Sequence, residues 1–227
     1  MALLGITGGS LYFLTENTAI EYTLTTNASL IVCLTPLYTM LLMRVLHRKT
    51  VRLSNRMLLG TLLAVVGVFS VVMNGHILLE LNPLGDFLAL LSGISWSVYS
   101  LIYCQVEKKW SALLITRKLF FWGFVTALPF LWSGGSSITN TLLHSDTVVW
   151  WNLVFLGLVA SLLCFFVWNV VFPKIGPILA NNLLYFNPLV TLLVAHHVLA
   201  EPLTWMSAIG MFLTILGVWI ANRKNKV

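Results

Sequence analysis

Charge is what this sequence has least of: of its 227 residues only 9% are Asp, Glu, Lys or Arg, while 59% are apolar. An ordinary soluble domain carries about 25% and roughly 45 to 50%, so too little polar surface remains here to clothe a water-soluble fold. Cysteine is scarce as well. Cys33, Cys104 and Cys164 are odd in number, lie inside apolar runs and form no CxxC or Cys/His spacing, which argues against a disulfide scaffold and structural zinc. There is no Walker-type phosphate loop. The first residues, MALLGITGGSLYFLTENTAIEY, have no positive start and no small-residue cleavage site before a polar chain. They read as a first membrane span rather than a signal peptide. The net charge of +6 would suggest nucleic acid only if the basic residues gathered beside stacking aromatics; instead they fall between apolar blocks.

What is abundant is long apolar runs. A bilayer core of about 30 Å needs roughly 20 apolar residues per helix, and the chain predicts about eight spans, near 3–23, 26–46, 56–74, 84–105, 112–132, 148–172, 177–199 and 203–221. Between them stand residues at which helices stop: Asn27, Asn74, Gly75, Asn82, Pro83, Gly134, Gly135, Gly176, Pro177 and Pro202. The fold class is therefore an all-α polytopic membrane protein, with the lipid bilayer as its surroundings.

Lys and Arg near span ends are held on the cytoplasmic side, and all 13 fall on one side of this topology. Arg44, Arg48, Lys49, Arg52 and Arg56 separate spans two and three; Lys108, Lys109, Arg117 and Lys118 lie around the junction of four and five. Lys174 precedes span seven, and Arg223, Lys224 and Lys226 end the chain. Both termini are expected in the cytoplasm.

Laid on itself with a shift of 152 residues, the chain matches Leu11, Phe13, Asn17, Ala28, Pro36, Leu37, Thr39 and Leu41 with Leu163, Phe165, Asn169, Ala180, Pro188, Leu189, Thr191 and Leu193. At a shift of 150, Leu53, Gly60, Leu63, Gly67 and Val68 match Leu203, Gly210, Leu213, Gly217 and Val218. Leucine matches carry little information in membrane sequence; the matched Asn, Pro and Gly carry more. The copies are five spans apart, so they cross in opposite directions. An inverted repeat of this kind is the usual architecture of secondary transporters. Spans four and five have no counterpart in the first copy, so two spans are expected ahead of Met1.

The segments GDFLALLSGISWSVYSLIY, NLLYFNPLVTLLVAHHVLAEPLTW and IGMFLTILGVWIANR resemble the EamA family of the drug/metabolite transporter superfamily. That resemblance implies ten helices in two five-helix inverted repeats and export of amino acids, metabolites or drugs across the bacterial inner membrane. It places the remainder of the first repeat at 1–75, the second repeat at 84–222 and a basic cytoplasmic tail at 223–227. The chain would begin at the family's third helix.

Glu16 is the one carboxylate near the middle of a predicted span, where a charge costs about 2.5 to 3.5 kcal/mol on insertion scales. It is a candidate for binding a cation or carrying a coupling proton; a neutral, hydrogen-bonded Glu is the alternative. Asn17 and Asn169 are repeat mates that could converge on a polar ligand or simply bond between helices. Pro36 and Pro188 interrupt spans two and seven, leaving carbonyls near Val32 and Leu184 for substrate, or serving only for packing or as hinges. Asn181, Asn182, Tyr185 and Asn187 make the segment before Pro188 too polar for lipid, so it is expected to face the interior.

Trp96, Tyr99 and Tyr103 share a helix face, and with Trp168 they could wall an aromatic cavity or be packing. Trp150 and Trp151 suit an interface anchor. His196 and His197 are adjacent, unlike helical metal ligands at i, i+4, so with nearby Glu201 they argue little for metal. Gly60, Ala64 and Gly67, with Gly210, Thr214 and Gly217, form small-residue faces for close helix packing.

The leading reading is a secondary transporter for a small organic metabolite, with no cofactor and no nucleic-acid partner and with homodimerisation left open. An intramembrane enzyme would need more clustered ionisable groups. The remaining alternative is a remnant or assembly subunit that needs a partner for the absent helices.

Overall fold

The computed structural model describes residues 1–46, 54–73, 82–133, 146–199 and 203–222. Arg48, Lys49, Arg52, Asn74, Gly75, Gly134, Gly135, Glu201, Pro202 and the basic residues of 223–227 lie outside the described residues. Eight helical elements follow one another: α1 (2–22), α2 (25–46), α3 (Asn55–Met73), α4 (Pro83–Val106), α5 (Ala112–Ser133), α6 (Thr147–Ile175), α7 (177–199) and α8 (Trp205–Asn222). Among the described residues there is no strand.

Seven of these helices, α2 to α8, are long and apolar enough to cross a membrane. The chain is an all-α polytopic membrane protein. The expected eighth span, α1, is helical and packs against α4 and α5, but Thr15, Glu16, Asn17 and Glu21 dilute its apolar sequence. Buried backbone must bond within its own helix in lipid, and the starts and stops follow local chemistry. Asn82 caps α4 by accepting from the Leu84 and Gly85 amides, with Pro83 in the first turn. Gly176 joins α6 to α7 at a φ of 84°, a left-handed region that glycine enters freely.

The most extensive interface joins α3 to α8. A methyl placed on Gly60 would stand 2.6 Å from the Gly217 carbonyl oxygen, and one on Gly67 2.7 Å from that of Gly210. The reverse contacts are the same, Gly217 on Gly60 at 2.6 Å and Gly210 on Gly67 at 2.7 Å. Rising numbers on α3 thus meet falling numbers on α8, so the helices run antiparallel. Because Gly60 pairs with Gly210 in the sequence repeat and Gly67 with Gly217, the contact exchanges the two copies about a local two-fold axis. No larger side chain allows backbones this close.

Other irregularities recur in register. α1 contains a π turn at Ile6–Ser10 and α6 one at Leu156–Leu163, overlapping when shifted by 152 residues. α2 breaks between Thr25–Val32 and Thr35–Leu46, while α7 passes through a 3₁₀ turn at Leu183–Phe186, the same place in the other copy. Spans two and seven are therefore both interrupted just before the prolines, Pro36 and Pro188, that were expected to loosen them.

Candidate functional site

α4 is the hub of the bundle. The spacing that puts Trp96, Tyr99 and Tyr103 on one face does so, and all three are buried. Trp96 meets Tyr12 at 5.0 Å, Tyr99 at 5.1 Å, Phe165 at 5.6 Å and Trp168 at 5.9 Å between ring centroids, and Tyr103 meets Phe172 at 5.1 Å. These are the offset and edge contacts aromatic rings prefer. In this conformation the stripe is packed ring on ring. Trp168 is half-buried, yet its indole Nε1 is buried with no hydrogen-bond partner.

Buried amides bind α4 to the helices around it. Tyr99 donates to the Asn169 side-chain oxygen at 2.7 Å, Asn169 donates to Thr116 Oγ1 at 2.9 Å, and the Tyr103 hydroxyl donates to the Asn169 backbone carbonyl. One residue of α6 thus ties α4 to α5. On α7, Asn181 accepts from Trp96 Nε1 at 3.1 Å and donates to Ser100 Oγ at 3.1 Å. Asn182 donates to the Asn222 side-chain oxygen at 2.7 Å. Thr116 and Ser100 were not singled out in the sequence; hydroxyls one turn apart on apolar helices carry no periodic signal.

The repeat mates Asn17 and Asn169 do not share surroundings: Asn169 is fully buried, and Asn17 is exposed beside α5. Convergence of the two amides on one ligand is therefore not what the fold provides. The interior placement expected for the segment before Pro188 is met by Asn181, Asn182 and Tyr185, which are buried, and not by Asn187, which is exposed. Pro36 is buried at the start of the second piece of α2, and Pro188 is half-buried at the start of Asn187–Leu199. Neither leaves a free carbonyl. The Val32 oxygen accepts the Thr35 hydroxyl, and the Leu184 oxygen accepts the Asn187 amide.

Glu16 is half-buried on α1, one turn after Tyr12. Tyr12 in turn lies against Trp96. Cys33 stands at the break in α2. The helix ends that carry Arg44, Arg56, Lys174 and Asn222 gather at one end of the bundle, around a 340 Å³ cavity lined by Met43, Met57, Ile175, Pro177 and Asn222. Met1, Val106 and Ile175 each pack against the aromatic core cluster. Among the described residues no three His, Cys, Asp or Glu side chains gather as a metal set.

A model of the EamA-like transporter family matches residues 1–73 and 83–223. The chain belongs to that family. Its similarity to two uncharacterized transporters of Archaeoglobus fulgidus is 25% identity over 227 residues, covering 99% of this chain and 76% of the relative, and 27% over 222 residues, covering 98% and 76%. A probable amino-acid metabolite efflux pump of Salmonella typhimurium is 26% identical over 178 residues, which cover 74% of this chain and 58% of that protein. A protein known from its crystal structure shares the EamA chain's fold with a TM-score of 0.73 at 22% identity, covering 97% of this chain and 74% of that one. The relatives are named as transporters, and this EamA chain is a multi-pass membrane protein of a transporter family.

Proposed function

We propose that this chain is the body of a secondary transporter that exports a small organic metabolite, an amino acid or a related compound, by alternating access. The observation that carries the reading is the recurrence of helix irregularities in the two copies: π turns in α1 and α6 and interruptions in α2 and α7. π turns and broken helices concentrate at functional sites. Two copies of opposite direction with the same weak points can exchange conformations and open a central site to each side in turn. The α1–α4–α6–α7 centre supplies aromatic faces, an unpaired indole N–H at Trp168 and the Glu16 carboxylate. These suit a substrate with an apolar body, an acceptor and an amine, and the Salmonella relative's name points to the same class. Glu16 is the residue that would carry a coupling proton or meet the amine. The basic helix ends would face the cytoplasm, with both termini there and the chain in the inner membrane.

The test is efflux from liposomes containing the purified chain and loaded with radiolabelled amino acids and their acylated derivatives. Saturable release of at least one compound is expected, with Trp168→Ala raising its half-saturation concentration and Glu16→Gln flattening the pH dependence. Release no faster than from empty liposomes contradicts the reading.

A second reading has its own observation. Thr39 is fully buried and bonds Ser97 of α4 at 3.0 Å, whereas its repeat mate Thr191 on α7 is exposed. Phe172 is 1% exposed and its mate Ile20 is 43% exposed. These surfaces suit a transporter assembled with two further helices, so that efflux by this chain alone would need a partner segment.

A further inference from the structure

Tyr185 lies at the 3₁₀ turn of α7 and is 1% exposed, yet its hydroxyl has no hydrogen-bond partner. Leaving a buried hydroxyl unsatisfied costs about 1 to 3 kcal/mol, so native proteins rarely do it without a ligand or water. The side chain lines a 210 Å³ cavity together with Leu30, Ile31 and Cys33 of α2 and Val65 and Phe69 of α3. Apart from Tyr185 and the Cys33 thiol the named walls are hydrocarbon. Phe69, 39% exposed, stands at its outer side, so the cavity communicates with the surface between α2 and α3, away from the α4 hub. Cys33 and Tyr185 are repeat mates, each at the interruption of its own helix.

We propose that this cavity is a binding site for a small membrane-soluble molecule, one ring in size, whose single hydrogen-bond acceptor takes the Tyr185 hydroxyl. A cavity of about 150 Å³ accommodates a benzene ring, so 210 Å³ fits a ring bearing a carbonyl or ether. A cluster of waters is poorly served there: a buried water needs two to four polar partners, and the walls offer a hydroxyl and a thiol. The bound molecule sits between the two interrupted helices and touches both.

The probe is 4-azidoacetophenone, with 1-azido-4-ethylbenzene as its acceptor-free counterpart, each photolysed at equal bilayer concentration in membranes holding the whole chain. Adducts are mapped by peptide mass spectrometry. The expected result is that the ketone labels Leu30–Leu34 and Val65–Phe69 about fivefold more than the hydrocarbon does, the worth of one neutral hydrogen bond. Tyr185→Phe keeps the ring and the packing, and should bring that ratio to about one while leaving hydrocarbon labelling unchanged. Equal labelling by the two probes in the unaltered chain, as an acyl-chain groove would give, overturns the proposal. So does a ketone preference that survives Tyr185→Phe, or labelling of both probes that avoids these segments.

Discussion

Gly5 and Gly157 occupy the same position in the two copies and have opposite surroundings. A methyl on Gly5 would stand 2.9 Å from the Leu119 carbonyl oxygen of α5, whereas nothing lies within 4 Å of one on Gly157. Gly157 and Ser161 instead open into a 930 Å³ cleft against Phe120 and Leu113 of α5. α5 fills the notch in α1, and the matching notch in α6 is uncovered in this chain.

Gly5→Ala should therefore destabilise the chain by about 1 to 3 kcal/mol through overpacking. Gly157→Ala should stabilise it by up to about 1 kcal/mol, because alanine favours helix over glycine. Thermal unfolding in detergent reads both. A loss of stability in Gly157→Ala would mean that a further helix covers α6 in the protein tested.

The α3–α8 crossing gives a second expectation. Gly67→Val drives two methyls into the Gly210 backbone and should cost at least about 1 to 3 kcal/mol. Gly210→Val should cost a similar amount, since each glycine stands in the other's place. A small effect in one and a large effect in the other, in the same unfolding assay, would break the two-fold relation.

Asn169→Ala strips the acceptor from the buried Tyr99 hydroxyl and breaks the tie to Thr116, which keeps its bond to the Ala112 carbonyl, and should cost about 1 to 3 kcal/mol. Its repeat mate Asn17 is exposed, and Asn17→Ala should stay within about 0.5 kcal/mol. Denaturant midpoints of the two variants separate them.

Glu107 lies just beyond α4, with one carboxylate oxygen buried and without a partner. Burial raises its pKa above the ordinary 4.5, partly opposed by Lys108. An acid with a raised folded-state pKa favours the folded state when protonated, so this group opposes folding as pH rises through that range. Glu107→Gln should raise the unfolding temperature at pH 7 and match the unaltered chain at pH 4. A variant that is less stable at pH 7 would show that the carboxylate has a favourable partner.

Much of this was legible in the sequence because membrane helices announce themselves by length and because Asn, Pro and Gly recur at fixed shifts. The recurrence of Pro36 as Pro188 marked the interruptions, and that of Gly60 as Gly210 marked the crossing. What could not be read was burial. Asn17 and Asn169 are the same residue in the same register, and only the neighbouring helices decide that one is exposed and the other holds α4 to α5. For the same reason Cys33 was given no role beyond arguing against disulfides and zinc: as a lone thiol in an apolar run it has no signal until Tyr185 is recognised as its mate.

The most direct test of alternating access is side-specific labelling of Leu184→Cys, which packs against the central aromatic cluster, in a chain with Cys33, Cys104 and Cys164 replaced by alanine, using a membrane-impermeant methanethiosulfonate on right-side-out and inside-out vesicles. The account predicts reaction from both faces, with a transported compound raising one rate and lowering the other. Reaction from a single face whatever compound is present, or from neither, would contradict it.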